Sequence, residues 1–385
     1  MSVERITADW LSAKATQRVM AVLSDAGFCA YAVGGCVRNA LLGVSVSDVD
    51  ITTNARPDKV IALFNDAGLR TAPTGIGHGT VTVIVSGSGY EITTFRADVE
   101  TDGRRAVVRF ADHVADDAQR RDFTMNALYA DANGVVTDPL GGLPDLFSRR
   151  VRFIGDARSR IREDFLRTLR FFRFCAWYGD PDIGFDADAL AGIADTLDGL
   201  EQLSRERVGQ EVTKLLSAPD PAPSVAVMEQ VGVLSRVMPG GSSRLLAPLV
   251  HEEQRYGLSP DPLRRLAAIG FFNGADLRLS KAQQKQLGLY QSLISQMMPL
   301  DEAAYRHGAD RAWDLCVLRA VSFSAPVESD AAEQIARGAQ ARFPVTASDL
   351  PQDLKGPQIG AALRTLEARF IASGFTATRQ ELLQP

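Results

Sequence analysis

The chain has 385 residues, 45% of them hydrophobic and 23% charged, with a formal net charge of −5. That length is enough for more than one core, the composition is that of ordinary globular domains, and no apolar run of about eighteen residues is present to form a transmembrane helix. The negative balance argues against a surface coated in nucleic acid, though not against a local basic track. Cys29, Cys36, Cys175 and Cys316 never form a C-x-x-C pair. A zinc or disulfide framework is therefore not expected, and a reducing compartment is. The N-terminal ten residues lack a basic stretch followed by an apolar core, so no secretory signal is expected and the cytoplasm is the natural location.

Along the chain, residues 15–26 read as a helix closed by Gly27, and 29–33 as a short strand. Gly34-Gly35 makes a turn into a short helix over 37–42, ended by Gly43. A second strand over 49–52 precedes a helix that Pro57 opens at its first position, where the missing N–H costs nothing. The β-rich runs 80–85 and 90–95 are separated by Ser-Gly-Ser-Gly, which predicts a hairpin. Residues 98–109 are polar and charged and read as a mobile loop. Short strands are expected at 126–130 and 135–137, around Asn133-Gly134. Strands with interspersed helices predict an α/β or α+β head. Beyond Ile154 the apolar spacing is helical to the end of the chain, through 165–177, 189–197, 208–216, 225–237 and later segments.

Two patterns carry chemistry. Asp48-Val49-Asp50 stands at the start of a strand, where residues i and i+2 share a face with Cα atoms roughly 6.5–7 Å apart. Two such carboxylates can bridge hard cations, and a pair of Mg²⁺ ions about 3.5–4 Å apart suits nucleotidyl transfer. The pair follows Gly34-Gly35-Cys36-Val37-Arg38, where two glycines allow backbone N–H groups near a phosphate and Arg38 reaches an anion. The second pattern is Glu163-Asp164-Phe165-Leu166-Arg167, in a run over 163–173 that reads as continuous helix. Asp164 and Arg167, three apart, are then surface neighbours, one accepting and one donating. This matches the amino group and ring nitrogen on the Watson–Crick edge of cytosine or adenine, and mismatches uracil and guanine. Residues 149–173 hold nine arginines and no lysine against Asp156, Glu163 and Asp164, a local excess of six positive charges. Arginine favours bidentate work on phosphates or bases.

These segments, together with Thr74-Gly75-Ile76-Gly77-His78-Gly79-Thr80, Tyr90-Glu91-Ile92, Arg120-Arg121-Asp122-Phe123-Thr124-Met125-Asn126 and Asp138-Pro139-Leu140-Gly141-Gly142, resemble in order the motifs of class II tRNA nucleotidyltransferases. These are the bacterial-type CCA-adding enzymes of the polymerase-β-like superfamily. The motif-dense likeness covers residues 30–178, with a weaker echo from Phe343 to Gly360. It implies an α+β fold, with a catalytic head of mixed β-sheet over 1–147. An all-α neck over 148–217, body over 218–300 and tail over 301–385 would follow. The implied reaction adds CMP, CMP and AMP to the tRNA 3′ end from CTP and ATP without a nucleic-acid template. Asp48 and Asp50 would hold two Mg²⁺ ions, with Glu91 as a third acidic residue. Gly34, Gly35 and Arg38 would meet the triphosphate. Arg120, Arg121, Asp122 and Asn126 would grip sugar and phosphate, with Asp122 accepting from a ribose hydroxyl. Asp164 and Arg167 would read the base and Arg170 would reach the triphosphate. The implied partner is the tRNA 3′ end and acceptor arm, with no membrane and no obligate protein partner.

Two positions depart from the family pattern: Asn39 stands where aspartate is usual, and Ala106 where proline is usual in the loop linked to the switch from C to A addition. His78 reads as structural, since metal activation needs no histidine base. A poly(A) polymerase shares this head, but such enzymes carry a basic block after the second strand, and here only Arg70 is basic between Val60 and Phe95. CC-only or A-only addition, a non-catalytic RNA-binding protein on the same fold, and a small-molecule nucleotidyltransferase, disfavoured by the long helical body and arginine-rich neck, are the other readings.

Overall fold

The computed structural model describes residues 4–102, 105–352 and 354–384. They form two compact units, Met1–Pro239 and Gly240–Pro385. In the first unit, helices α1 (Asp9–Ser12) and α2 (Lys14–Asp25) lead into strand β1 (Tyr31–Val33), helix α3 (Gly35–Leu41) and strand β2 (Asp50–Thr53). Helix α4 (Pro57–Asp66) starts on Pro57, as the sequence predicts. Strands β3 (Arg70–Gly75), β4 (Thr80–Val85) and β5 (Ser88–Thr94) follow. The seven-stranded sheet has the order β3-β4-β5-β2-β1-β8-β9, with β8 at Tyr129–Ala130 and β9 at Val136–Thr137. Its β2–β5 pair is parallel and the other pairs are antiparallel, which makes the sheet mixed.

Alternation explains which face is covered. Val81, Val83 and Val85 on β4 are buried while their neighbours are half-buried, the period of two expected of a strand with one face on the core. Helix α4 lies on β3, β4 and β5 and against α2, burying Val60 and Phe64 alongside Val19, Met20 and Leu23 of α2. This leaves the start of β2 and the middle of β5 at the solvent side, with Asp50 and Glu91 exposed.

Three expectations change. Residues 98–109 are not a loop: β6 (Arg96–Asp102) and β7 (Arg105–Phe110) pair antiparallel as a separate ribbon. Gly103 and Arg104 at its tip lie outside the described residues, and of Ala106 only the strand backbone is described. Strand β3 was not predicted, and the strand foreseen at 126–130 shrinks to Tyr129–Ala130 after a 3₁₀ turn over Thr124–Asn126.

Helices α5 (Val114–Gln119) and α6 (Leu143–Phe147) complete the region around the sheet, and α7 (Ala157–Glu163), α8 (Leu166–Tyr178), α9 (Ala187–Ala194), α10 (Arg205–Leu216), α11 (Ala222–Gln230) and α12 (Val233–Val237) continue the unit. The run 163–173 is not one helix. Asp164 sits at φ −155°, ψ 105°, an extended residue that ends α7 before α8 begins. Its side-chain Oδ1 accepts the Leu166 N–H at 3.1 Å, satisfying a donor at the new helix start. Phe165, between the two, is fixed by Gly199, because any Cβ at position 199 would fall inside the Phe165 ring. The break is therefore built in, and it sets Asp164 outside α8 while its side chain is tied to the first residue of that helix.

The second unit is helical throughout its described secondary structure, from Leu246–Arg255 to Arg379–Leu383. It encloses a buried charge network: Arg264 Nε donates to Glu253 Oε1 at 2.8 Å and its Nη1 to Asp314 Oδ1 at 2.6 Å, while Arg265 Nη2 donates to Glu253 Oε2 at 2.7 Å. Such charges are buried only because each is paired. Among the described residues no helix is long and apolar enough to cross a membrane.

Candidate active site

The acidic cluster forms at the strand edge. Parallel pairing sets Asp50 opposite Glu91, so both carboxylates leave the same face of the sheet. Asp48 precedes the strand and takes a hydrogen bond from Ser47 Oγ at 2.8 Å. Partial desolvation, then the charge of Glu91 and that of Asp48, push the Asp50 carboxyl above the usual carboxylate range, with Arg121 opposing. Among the described residues no three acidic, His or Cys side chains converge as a ready-made metal cage.

Beside it, Gly34 adopts φ +71° at the entry to α3, where a Cβ would stand 3.4 Å from the Arg121 guanidinium. Arg38, one turn into α3, is buried rather than extended into solvent. Its Nη1 donates to Asn126 Oδ1 at 2.5 Å and its Nη2 to the Tyr178 hydroxyl at 2.8 Å, while Nε and Nη2 also reach Asn39 Oδ1. The guanidinium stacks 3.9 Å from the Tyr178 ring centroid. Four of the five N–H groups of an arginine are thus engaged, leaving one Nη1 hydrogen without a partner among the described residues. Asn39 works as an amide here, because its Nδ2 also donates to Ser45 O at 3.0 Å. An aspartate could accept from Arg38 but could not make that second bond.

The segment from Arg120 to Asn126 is also internally tied. The Asp117 carboxylate, with no exposed side-chain surface, holds Arg120 at 2.6 Å and Arg121 at 2.8 Å. Asp122 Oδ1 accepts from Asn126 Nδ2 and the Phe123 N–H, both at 2.9 Å, and Oδ2 accepts from Arg170 Nε at 2.7 Å. Both of its oxygens are therefore used within the protein, and Arg170–Asp122–Asn126–Arg38 is one continuous relay from α8 to α3. Burial alone would raise the Asp122 carboxyl, but the Arg170 charge and these hydrogen bonds hold its pKa at about 2. A carboxyl depressed below its unfolded value stabilises the fold above pH ~4 and loses that contribution as pH falls toward 2. Asp122→Asn should therefore cost on the order of 2 kcal/mol in urea melts at pH 7, with the gap to the parent closing between about pH 5 and pH 2.

Asp164 and Arg167 meet Arg120, Arg121, Asp122 and Arg170 in a cleft of about 260 Å³, to which Arg207 also contributes. So six of the expected residues are brought together. Asp164 and Arg167 have separate partners within the protein. Asp164 Oδ2 accepts from Arg207 Nη2 at 2.7 Å. Arg167 instead donates through Nη1 to Glu163 Oε2 at 2.5 Å and Arg160 O at 2.9 Å, and through Nη2 to Arg120 O at 3.2 Å. That leaves Nε and one Nη2 hydrogen unengaged among the described residues.

The nine arginines between 149 and 173 are no open basic track. Arg150 pairs with Asp186, Arg152 with Asp145, Arg158 with Asp195, Arg170 with Asp122 and Arg173 with Glu211, while Glu163 serves both Arg160 and Arg167. Most of the local excess is cancelled by acids distant in sequence. A larger cavity of about 500 Å³ beside Arg150, Arg152 and Asp186 contains none of the expected residues. Sequence reasoning missed Asp117, Tyr178, Arg207 and Glu211. Three of them carried a signal: Asp117 as an acid four residues before Arg121, and Arg207 and Glu211 as charges four apart after a Ser204 helix cap.

Comparison with known proteins matches residues 30–152 to the poly A polymerase head domain and residues 184–245 to a probable RNA- and SrmB-binding site of polymerase A. Over 368 residues the chain is 31% identical to a mouse (Mus musculus) protein named CCA tRNA nucleotidyltransferase 1, mitochondrial, covering 91% of this chain and 84% of that protein. It is 44% identical over 203 residues to a Streptococcus pyogenes CCA-adding enzyme, covering 52% of this chain and 49% of that enzyme. The Bacillus stearothermophilus CCA-adding enzyme in complex with CTP superposes with a TM-score of 0.74 at 28% identity, covering 94% of this chain and 93% of that one.

Proposed function

We propose, because this chain belongs to the CCA tRNA nucleotidyltransferase family, that it adds CMP, CMP and AMP stepwise to the 3′ end of tRNA without a nucleic-acid template. The observation that carries this reading is the cleft in which one carboxylate, Asp164, and one guanidinium, Arg167, stand together among arginines. The bases of CTP and ATP each offer that pair a donor and an acceptor, and the arginines suit a triphosphate.

The acidic cluster fits a divalent metal. Its donors are hard oxygens, two of them in register, and the mutual repulsion that raises Asp50 is relieved by a cation. Mg²⁺ takes one or two carboxylates plus water and substrate phosphates rather than an all-protein cage. We assign Asp48 and Asp50 as ligands of two Mg²⁺ ions, with Glu91 completing the acidic edge. When bound, the metal would lower the pKa of the RNA 3′-hydroxyl and neutralise the leaving pyrophosphate. The 3′-oxygen forms the new bond to the α-phosphorus as the bond to pyrophosphate breaks. Gly34 and Gly35 give the triphosphate close backbone approach, and Arg38 and Arg170 offset its charge. Arg120 and Arg121, held from below by Asp117, face the sugar and α-phosphate side. Asp122 and Asn126 fix Arg170 and Arg38 to each other.

We assign residues 1–147 as the catalytic head, 148–217 as the base-reading neck, and 218–300 and 301–385 as body and tail that engage the tRNA acceptor arm. Four free cysteines suit a reducing cytoplasmic setting.

The test supplies purified protein and Mg²⁺ with tRNAs lacking one, two or three 3′ nucleotides, offering each NTP alone. C should join ends lacking two or three nucleotides, A should join the CC end, and UTP and GTP should give nothing. Long A tails would replace this reading with a poly(A) polymerase, and arrest after CC or failure to add C would replace it with a partial activity.

A further inference from the structure

Arg207 belongs to no motif quoted above, yet it makes the shortest hydrogen bond to the carboxylate assigned to base reading. Its Nη2 stands 2.7 Å from Asp164 Oδ2, with both side chains partly exposed to the same cleft. The other oxygen of Asp164 is held by the Leu166 N–H at 3.1 Å. With one bond on each oxygen, the carboxylate is fixed in direction while each oxygen keeps lone-pair capacity for a base amino group. Without Arg207 only the Leu166 N–H would hold it, leaving the carboxylate free to turn about that single bond.

Arg207 is itself held. It lies in the first turn of α10, where the Ser204 hydroxyl accepts its backbone N–H at 3.5 Å, and α10 packs along α8. One turn further, Glu211 Oε2 accepts from Arg173 Nε of α8 at 2.6 Å. Two contacts of opposite sense, four residues apart, register α10 against α8. A slip of one turn would set Glu211 beside Asp164, carboxylate against carboxylate.

We propose that Arg207 is a positioning residue for nucleotide selection, acting through Asp164 rather than on the base. The proposal rests on the reading of Asp164 as the acceptor for the base amino group. A fixed Asp164 meets O4 of uracil or O6 of guanine with a lone pair against a lone pair, whereas a loose one can swing away or accept a ring N–H. A site must hold such groups within about 0.5 Å and 10–20° to discriminate.

The test measures kcat/KM for single CTP and UTP additions to tRNA lacking its last two nucleotides, for the parent, Arg207→Ala, Asp164→Ala and the double variant. Arg207→Ala should lower the CTP-to-UTP ratio by about tenfold or more. In the Asp164→Ala background the same change should leave the ratio where it is, because residues acting as one unit are not additive. A merely structural role would lower both nucleotides by a common factor and leave the ratio intact. Should the alanine chain fail to fold, Arg207→Gln carries the same comparison. An unmoved ratio in a folded variant, or an equal drop in both backgrounds, overturns the proposal. A parent enzyme with no preference for CTP would instead overturn the reading of Asp164.

Discussion

Asp50→Asn should lower kcat/KM for CMP addition by at least about 10³-fold, corresponding to the several kcal/mol that a metal-held transition state loses with its ligand. The residue begins β2, directly opposite Glu91 across the parallel pair, and no side-chain hydrogen bond to it is seen among the described residues. Its carboxyl is pushed up by desolvation and by the like charges of Glu91 and Asp48. A carboxylate whose folded pKa is raised costs stability at neutral pH in its ionised form, so removing the charge relieves the fold rather than breaking it. The apo variant should therefore melt at or above the parent temperature. Mg²⁺ or Mn²⁺ should raise the melting temperature of the parent, because a ligand that binds only the folded state stabilises it by mass action. That rise should be absent in Asp50→Asn. Retained activity, or an equal metal-induced rise in both chains, would remove Asp50 from the metal site.

The head was legible where punctuation is strong. Gly27, Gly43 and Pro57 bound helices in the structure where the sequence places them, because a left-handed or N–H-free position leaves few alternatives. The ribbon at 96–110 was not legible. Its polar, charged residues have the composition of a loop, and antiparallel backbone pairing makes it a strand pair. The break at Asp164 was hidden for the opposite reason. No glycine or proline interrupts 163–173, and the interruption comes from side-chain capping and from Gly199, thirty-odd residues away. Candidate site residues were legible as motifs, but their partners were not. Arg121 is the local exception, paired with the acid four residues before it, whereas which acid neutralises Arg173 is decided by tertiary packing, and Glu211 and Arg207 enter only once α10 is in place.

Base choice is where the site should be most sensitive. Replacing Asp164 or Arg167 by alanine should admit UTP and GTP, eroding a discrimination of roughly 10²–10⁴-fold. That range follows if each mispaired buried group costs about 1–3 kcal/mol. The two variants should differ in their side effects. Asp164→Ala removes the acceptor for the Leu166 N–H, so the start of α8 loses a cap worth about 1 kcal/mol, and Arg207 loses its carboxylate. Arg167→Ala leaves Glu163 still paired with Arg160, whose Nη2 also continues to serve the Arg120 carbonyl. The fold should tolerate it better. A common loss of stability with unchanged selectivity would mean that both residues are only structural. The informative quantity is therefore the ratio of kcat/KM between CTP and UTP, and between ATP and GTP, measured on chains whose melting curves are known. Arg167→Ala is the cleaner arm, because its neighbours keep their partners. A folded Arg167→Ala enzyme that still refuses UTP and GTP would show that the base is chosen elsewhere, and that the arginine serves only to tie α8 to Glu163 and to the Arg120 and Arg160 carbonyls.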